Sequence, residues 1–478
     1  MMKEEIKESA IEVQKLLRRK FPQAKGSLLE TTHRLHTGEM SPLEATQQSL
    51  DRIEQANESL NCFVTVGREQ AEAHAKSLGG EVSEVTPLLW GVPVSVKDLT
   101  PTQGLITTFS CKAFADYVPE KDAPLVAAMK AAGMTIVGKT NTPEFGILPV
   151  TESELNGVCR NPWSLESSVG GSSGGAAASV AAGLTSVAHG SDGAGSLRIP
   201  ASCCGVFAVA LPHGRLPAPA RPALGRGPLD GVISRTVADS LYYLAGMNAI
   251  TGEELALAVN EAPTSPPVSI ILTCAPPIEC TVDSVCEAAV YRAAELLGAS
   301  GYRISERKLD WSDERVLGDM MLLRSTIPVA YGDPSSELLD RTTRDAITLS
   351  ESVSALEFHR AFVRLNSYAE RILRLFGENE ILLTPVLARH SVPHGWITEP
   401  TDPYDVFRRS AEFAPFTAFV NLAGLCAVSV PLGWTEEGMP IGVQLASRPN
   451  NLARLLGIAA QLEQVAPWAD SKPPVFFA

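Results

Sequence analysis

Three serines and one lysine carry the chemistry this sequence can offer. Residues 190–200 read GSDGAGSLRIP, with three glycines, two serines and an aspartate in the first seven positions. Three roles fit such a run: a slack surface loop, a phosphate cradle, or the seat of a nucleophile. In the last case Ser196 attacks, and Gly193, Ala194 and Gly195 turn their backbone N–H groups toward an oxyanion. Asp192 and Arg198 can then tie the loop together by charge-assisted hydrogen bonds. A second run, SSVGGSSGGAAASVAAG (167–183), brackets Ser172 and Ser173 with four glycines and leads into an alanine-rich helix. A helix start of this kind presents free N–H groups. The plainer role is a flexible Gly/Ser linker, but NPW before it and a small-residue helix after it embed the run in the fold. Lys97 ends the apolar stretch GVPVSVKDL. Burial penalises the charged form of a lysine, and a neutral lysine is a base. On spacing alone, a solvated lysine at a strand end is the commoner case.

Competing motifs are weaker. Neither Gly-rich run has the G-x-x-x-x-G-K-[ST] or G-x-G-x-x-G order of a nucleotide site. GSSGG (171–175) satisfies G-x-S-x-G with Ser173 as nucleophile, and His359, His390 and His394 follow it. A Gly/Ser run meets that pattern easily by chance, and the assignment leaves Lys97 and residues 190–200 without a role. The nine cysteines show no C-x-x-C pair and the eight histidines no H-E-x-x-H. A zinc site is therefore not expected, and free, mostly buried thiols are.

The elements that must position these residues read as α/β. Residues 1–78 are expected to be a helical region, with a Ser41–Pro42 start signal before an apolar helical spacing. From 79 to 478, short β-branched runs alternate with helices. LLWGVPVSVKDL, MTIVGKT, VSIILT, ILLTPVL, CAVSVPLG and IGVQLAS read as strands; SVCEAAVYRAAELLGA and LARLLGIAAQLEQ read as helices. ASVAAGLTSVAHG is helix-compatible throughout. This alternation argues for a layered sheet covered on both faces. PHGRLPAPARPALGRGPLDG (212–231) is expected to be a long surface loop, overhanging a site or merely connecting. The formal net charge of −14 disfavours a general nucleic-acid binder. No run of 18 apolar residues suggests a membrane span. The charged N-terminus lacks the features of a secretory signal, so a cytoplasmic protein is expected.

Taken together, the Lys97, Ser172 and Ser196 segments resemble the amidase signature family. Lysine and first serine are 75 residues apart, and the two serines 24 apart. The resemblance extends to LHTGEMSPLEATQQSLDRIEQANESLNCFVTV, GKTNTPEFG, NPWSLESSVGGSSGG, GPLDGVISRTVAD, ILLTPVL and FVNLAGLCAVSVPLGWTEEGMPIGVQLASRPNN. It covers nearly the whole chain except about 250–375, a region that varies with substrate in the family. It implies one compact α/β/α domain around a large mixed sheet. By position, Ser196 matches the acylating nucleophile, Ser172 the bridging serine after a cis peptide bond, and Lys97 the terminal base. Gly193, Ala194, Gly195 and Ser196 match the oxyanion hole; Ser173, Asp192 and Arg198 match bracing residues. Two departures stand out. Ala194 replaces a usual glycine, and AVALP (208–212) replaces the usual G-L-K-P-T.

The implied activity is hydrolysis of the C–N bond of small amides, with anilides, carbamates and activated esters open to the same relay. No metal or organic cofactor is required. The expected partner is a small-molecule amide or carbamate, with no nucleic acid and no membrane. Homodimers are common among such enzymes, and no interface is legible. Met320, Met321, Leu322, Leu323 and Ile327 are candidate pocket walls, although core packing is the commoner role for such residues. The alternative is the glutaminase subunit of a tRNA-dependent amidotransferase, which AVALP disfavours. A catalytically dead binding protein conflicts with the presence of all three catalytic positions.

Overall fold

Alternation along the strands decides the architecture. In β-structure successive side chains point to opposite faces. Here Phe207 and Val209 join one buried core while Ala208 and Ala210 join another. Ile270 and Leu272 divide from Ile271 in the same way, as do Ile381 and Leu383 from Leu382. A sheet with two apolar faces must be covered on both, and this one is. The computed structural model describes residues 10–22, 28–79, 82–83, 85–217, 228–262 and 268–477.

The large sheet has 11 strands. In chain order they are β1 (Phe63–Val66), β2 (Pro93–Lys97), β3 (Thr135–Thr140), β4 (Val187–Asp192), β5 (Phe207–Ala210) and β6 (Leu229–Ser234), followed by β7 (Ser269–Leu272), β8 (Arg303–Glu306), β9 (Glu380–Pro385), β10 (Cys426–Trp434) and β11 (Pro440–Ser447). Their spatial order is β1-β3-β2-β4-β6-β5-β10-β11-β9-β7-β8. The sheet is mixed: β2 runs parallel to both β3 and β4, whereas β4, β6, β5, β10, β11 and β9 pair antiparallel in turn. Helices Val237–Gly246, Ser284–Ala299 and Leu452–Val465 pack on one face. Helices Pro42–Leu60, Gly174–Ala181, Arg198–Cys204 and Ala418–Ala423 pack on the other. The result is a single α/β domain. No helix among the described residues is long and apolar enough to cross a membrane.

The start signal at Ser41 is built as the sequence predicts. Ser41 caps helix Pro42–Leu60, and its hydroxyl and the Glu44 carboxylate exchange hydrogen bonds with each other's backbone N–H in a capping box. The N-terminal region is not helical throughout. Asn61 ends that helix at φ 48, and the chain turns into β1, which pairs antiparallel with β3. The segment thus supplies an edge strand to the sheet formed by the rest of the chain. ASVAAGLTSVAHG is also divided. Its helix stops at Ala181, and Val187 onward is β4. Alanine and glycine carry little strand propensity, so burial between β2 and β6 decides the outcome. Of the expected 212–231 loop, residues 218–227 lie outside the described residues, and Leu229–Gly231 belong to β6.

Candidate active site

The same alternation that divides the core sets up the site. Val94 and Val96 face one core, so Ser95 and Lys97 face the other. Ala188 and Ala446 lie on that second face, and so therefore do Asp192 and Gln444. These polar residues gather where β2 and β4, running parallel, both end. In parallel α/β sheets the carboxyl ends of the strands are where ligands bind.

Lys97 is almost fully buried, at 1 % exposure. Its Nζ donates to Ser172 Oγ at 2.7 Å and to the Ser191 carbonyl at 3.3 Å. The Gly171–Ser172 peptide bond is cis. The run around Ser172 is too closely packed for a linker. A methyl group on Gly171 would meet the Val150 backbone at 2.6 Å, and one on Gly175 would meet Asn141 N and Cys62 O at 2.4 Å. Ser173 Oγ donates to the Ser191 carbonyl at 3.0 Å, and Ser173 N donates to the Ser196 carbonyl at 3.0 Å. Ser173 thus clamps the two Gly-rich runs together. Its hydroxyl is spent on a carbonyl, and the candidate histidines lie elsewhere: His390 is near Asp283, His394 bonds the Leu165 carbonyl, and His359 is exposed on its helix. This removes the G-x-S-x-G alternative.

Ser196 follows directly. Among the described residues its hydroxyl has no hydrogen-bond partner, and it lines both cavities of the site. The loop before it is held by Asp192, which is buried in a bidentate pair with Arg198 at 2.9 Å on both arms. Burial alone would raise the Asp192 carboxyl. The Arg198 guanidinium, the Leu197 N–H and the Asn421 amide outweigh it and hold the carboxyl below its ordinary value. The same carboxylate accepts from Gly195 N at 2.5 Å and Leu197 N at 3.1 Å.

That contact corrects one expectation. The N–H of Gly195 is occupied by Asp192 and does not point into an oxyanion hole. The N–H groups of Gly193, Ala194 and Ser196 have no acceptor among the described residues, so these three are left open beside Ser196. Gly195 serves a different need. It sits at φ 121, and a methyl group there would lie 2.3 Å from Thr417 Oγ1. Ala194 has no such conflict. Its φ is not in the left-handed region, so its methyl group costs no backbone strain.

Sequence reasoning missed the outer part of this network. Arg198 also donates to the Thr417 carbonyl at 3.0 Å, to Gln444 Oε1 at 2.5 Å and to Asn421 Oδ1 at 2.7 Å. Thr417 Oγ1 donates to the Ala194 carbonyl at 2.6 Å, and Asn421 Nδ2 donates to the Asp192 carbonyl at 2.5 Å. The only signal was their place in the strongly family-like segment 419–451 and just before it.

Two cavities meet at Ser196. A narrow slot of about 90 Å³ is walled by Leu148, Ile199, Met321, Phe407 and Phe419. A wide cavity of about 1140 Å³ is walled by Phe109, Phe145, Leu323, Ile327 and Tyr331. Met320 lines both, and Leu322 lines neither. Helix Val316–Ser325, from the variable region, therefore supplies wall to each. Pro228 lines the wide cavity from the edge of the 212–231 segment.

Comparison with known proteins gives the family. The Amidase family model matches residues 44–456. The chain belongs to the amidase family. It is 32% identical over 489 residues to the 6-aminohexanoate-cyclic-dimer hydrolase of Paenarthrobacter ureafaciens, covering 92% of this chain and 94% of that protein. It is 31% identical over 472 residues to an acylamidase of Rhodococcus erythropolis, covering 94% and 97%. The solved structure of 6-aminohexanoate cyclic dimer hydrolase complexed with substrate superposes with a TM-score of 0.85 at 28% identity, covering 94% of this chain and 99% of that one. This amidase thus shares the family fold over most of its chain.

Proposed function

We propose that this amidase is a serine amidohydrolase of small, largely apolar amides, working through an acyl-enzyme on Ser196. The observation that carries it is the buried Lys97 Nζ–Ser172 Oγ contact of 2.7 Å beside a cavity into which the Ser196 hydroxyl opens. Burial disfavours the charged form of Lys97. The neutral amine takes the proton of Ser172 while Ser172 takes that of Ser196, and Ser196 Oγ attacks the amide carbonyl. The N–H groups of Gly193, Ala194 and Ser196 receive the developing oxyanion. The proton returns through Ser172 to the leaving nitrogen, which must be protonated to depart. Water then takes the place of the amine, and the same relay hydrolyses the ester. The second link, Ser172 to Ser196, is open in this structure and closes when a carbonyl draws Ser196 forward, as relay contacts commonly tighten on binding.

Kinship with a cyclic-dimer hydrolase and an acylamidase supports amides ahead of carbamates and esters. The apolar walls support acyl or amine groups with hydrocarbon bulk. The test is a panel of aliphatic amides, anilides, carbamates and esters assayed beside Ser196→Ala. Amides and anilides are expected to be hydrolysed, and Ser196→Ala to lose at least about 10,000-fold in kcat while keeping the wild-type melting temperature. A folded Ser196→Ala enzyme with near-wild-type turnover would overturn the assignment.

A further inference from the structure

One charged side chain lines both cavities, and among the described residues no carboxylate pairs with it. Arg324 lies in the last turn of helix Val316–Ser325 and borders the slot and the wide cavity alike. One of its N–H groups donates to the Ile147 carbonyl at 3.1 Å. Ile147 follows Gly146, where an added methyl group would lie 3.1 Å from Ser172 Oγ. The guanidinium is therefore fixed to the loop that abuts the proposed relay.

Its surroundings are unusual for a cation. Among the described residues, no carboxylate lies within ion-pair distance. Asp319, one turn earlier on the same helix, is held by Arg364 at 2.6 and 2.9 Å. Asp122, the one acidic residue among the described residues that lines the wide cavity, is paired with Lys130 at 2.7 Å. Lys121, also on the wall of that cavity, adds a second positive charge. Burial pushes the Arg324 guanidinium down to about 10, with no opposing attraction. A guanidinium that is desolvated without a counter-ion is costly. It presents a planar fork of donors suited to a carboxylate.

We infer that Arg324 is a specificity-determining residue that binds a free carboxylate on the substrate, so that the preferred amides are those whose acyl or amine half ends in an acid. The inference rests on the serine amidohydrolase reading and narrows its substrate class. The hydrocarbon between acid and amide packs on the apolar walls, and the ion pair forms only when the substrate is seated.

The test uses two matched series with the full-length enzyme. One places the acid on the acyl half, as monoanilides of succinic to adipic acid. The other places it on the amine half, as N-benzoyl ω-amino acids. Each compound is paired with a neutral analogue in which a methyl ketone replaces the carboxylate. In the wild type, the best acid is expected to exceed its ketone by about 10- to 100-fold in kcat/KM, the scale of a charge-assisted hydrogen-bond pair. Arg324→Met is expected to bring that ratio close to one, mainly through KM, and Arg324→Lys to restore part of it. A wild-type ratio near one in both series would overturn the inference, as would a ratio that survives Arg324→Met. If neither acids nor ketones are turned over, the hydrolase reading has failed. The same pairs, titrated calorimetrically into Ser196→Ala with Arg324 intact or replaced, still decide the inference through the ratio of Kd values.

Discussion

The floor and the walls of this site are built on opposite principles. The floor is polar, buried and saturated. Asp192, Arg198, Asn421, Thr417 and Gln444 exchange hydrogen bonds until few donors are left over. The walls are apolar, draw in part on helices Val316–Ser325, Ala355–Arg374 and Pro403–Phe413, and, among the described residues, leave the Arg324 guanidinium without a counter-charge. A satisfied buried network holds one geometry, because every member fixes its neighbours. Hydrocarbon walls constrain shape far less and tolerate replacement. The difference teaches where the chemistry is set and where the choice of substrate is set.

The largest break in that comparison comes at the relay. Lys97→Ala removes the proposed base and leaves Ser172 without its 2.7 Å partner. Turnover is expected to fall by about 10,000-fold or more in a folded protein, measured by steady-state kinetics beside circular dichroism. A folded Lys97→Ala enzyme within about tenfold of wild type would remove the floor's claim to the chemistry.

A second break concerns the network beneath it. Asp192→Asn leaves Arg198 buried without its counter-charge, and breaking such a pair costs about 3–5 kcal/mol, readable by denaturant unfolding. The pH dependence follows from the depressed Asp192 carboxyl. Its stabilisation is complete above the ordinary aspartate value of 3.8 and is lost as pH falls through the lower folded value. Wild-type stability should therefore fall below about pH 3.8 with a component that Asp192→Asn lacks. Equal acid sensitivity in the two proteins would contradict this.

The walls should respond in a different currency. Met321 lines only the slot and Leu323 only the wide cavity, although both sit on one helix. Met321→Trp is expected to lower kcat/KM by about 10- to 100-fold for amides that fill the slot and to spare those that leave it empty. Leu323→Trp is expected to show the reverse selectivity. Two variants with the same substrate profile would mean that the cavities act as one.

The smallest effect is expected at Ala194. Its carbonyl is fixed by Thr417 and its backbone is unstrained, so Ala194→Gly leaves the loop in place. Removing the methyl group widens both cavities beside Ser196. A gain of about two- to fivefold in kcat/KM for branched acyl groups, with little change for acetyl amides, is the expected result. A loss of activity toward every substrate would show that the methyl group itself shapes the oxyanion hole.

The floor was largely legible in the sequence, and the walls were not. Ser172 and Ser196 stand out because close backbone packing demands glycine, and glycine-dense runs with serine at their centre are rare inside a fold; Lys97, at the end of an apolar strand run, becomes legible only beside them through the family resemblance. Asp192 and Arg198 were legible because they are six residues apart and oppositely charged. Gly195 reads from the sequence as an oxyanion donor, since sequence cannot show that its N–H turns back to Asp192 at 2.5 Å. Thr417, Asn421 and Gln444 reach Arg198 across more than 200 residues of chain, and their residue types carry no motif. Met320, Met321, Leu323 and Ile327 were recognisable as apolar, but their division between two cavities depends on how one helix is rotated. Arg324, in the same helix, was invisible because an arginine among apolar residues reads as a surface charge. In the sheet, β1, β5 and β8 are only four residues long, and they carry no run of large aliphatic side chains to mark them, such as Ile270, Ile271 and Leu272 in the equally short β7.

The central claim is a covalent acyl-enzyme on Ser196. Rapid acid quench during turnover of an activated aryl ester or anilide, followed by peptide mass analysis, tests it directly. The account predicts an acyl adduct on the peptide that contains Ser196, absent in Ser196→Ala. An adduct on Ser173 instead, or steady turnover with no adduct while Ser196→Ala stays active, would contradict it.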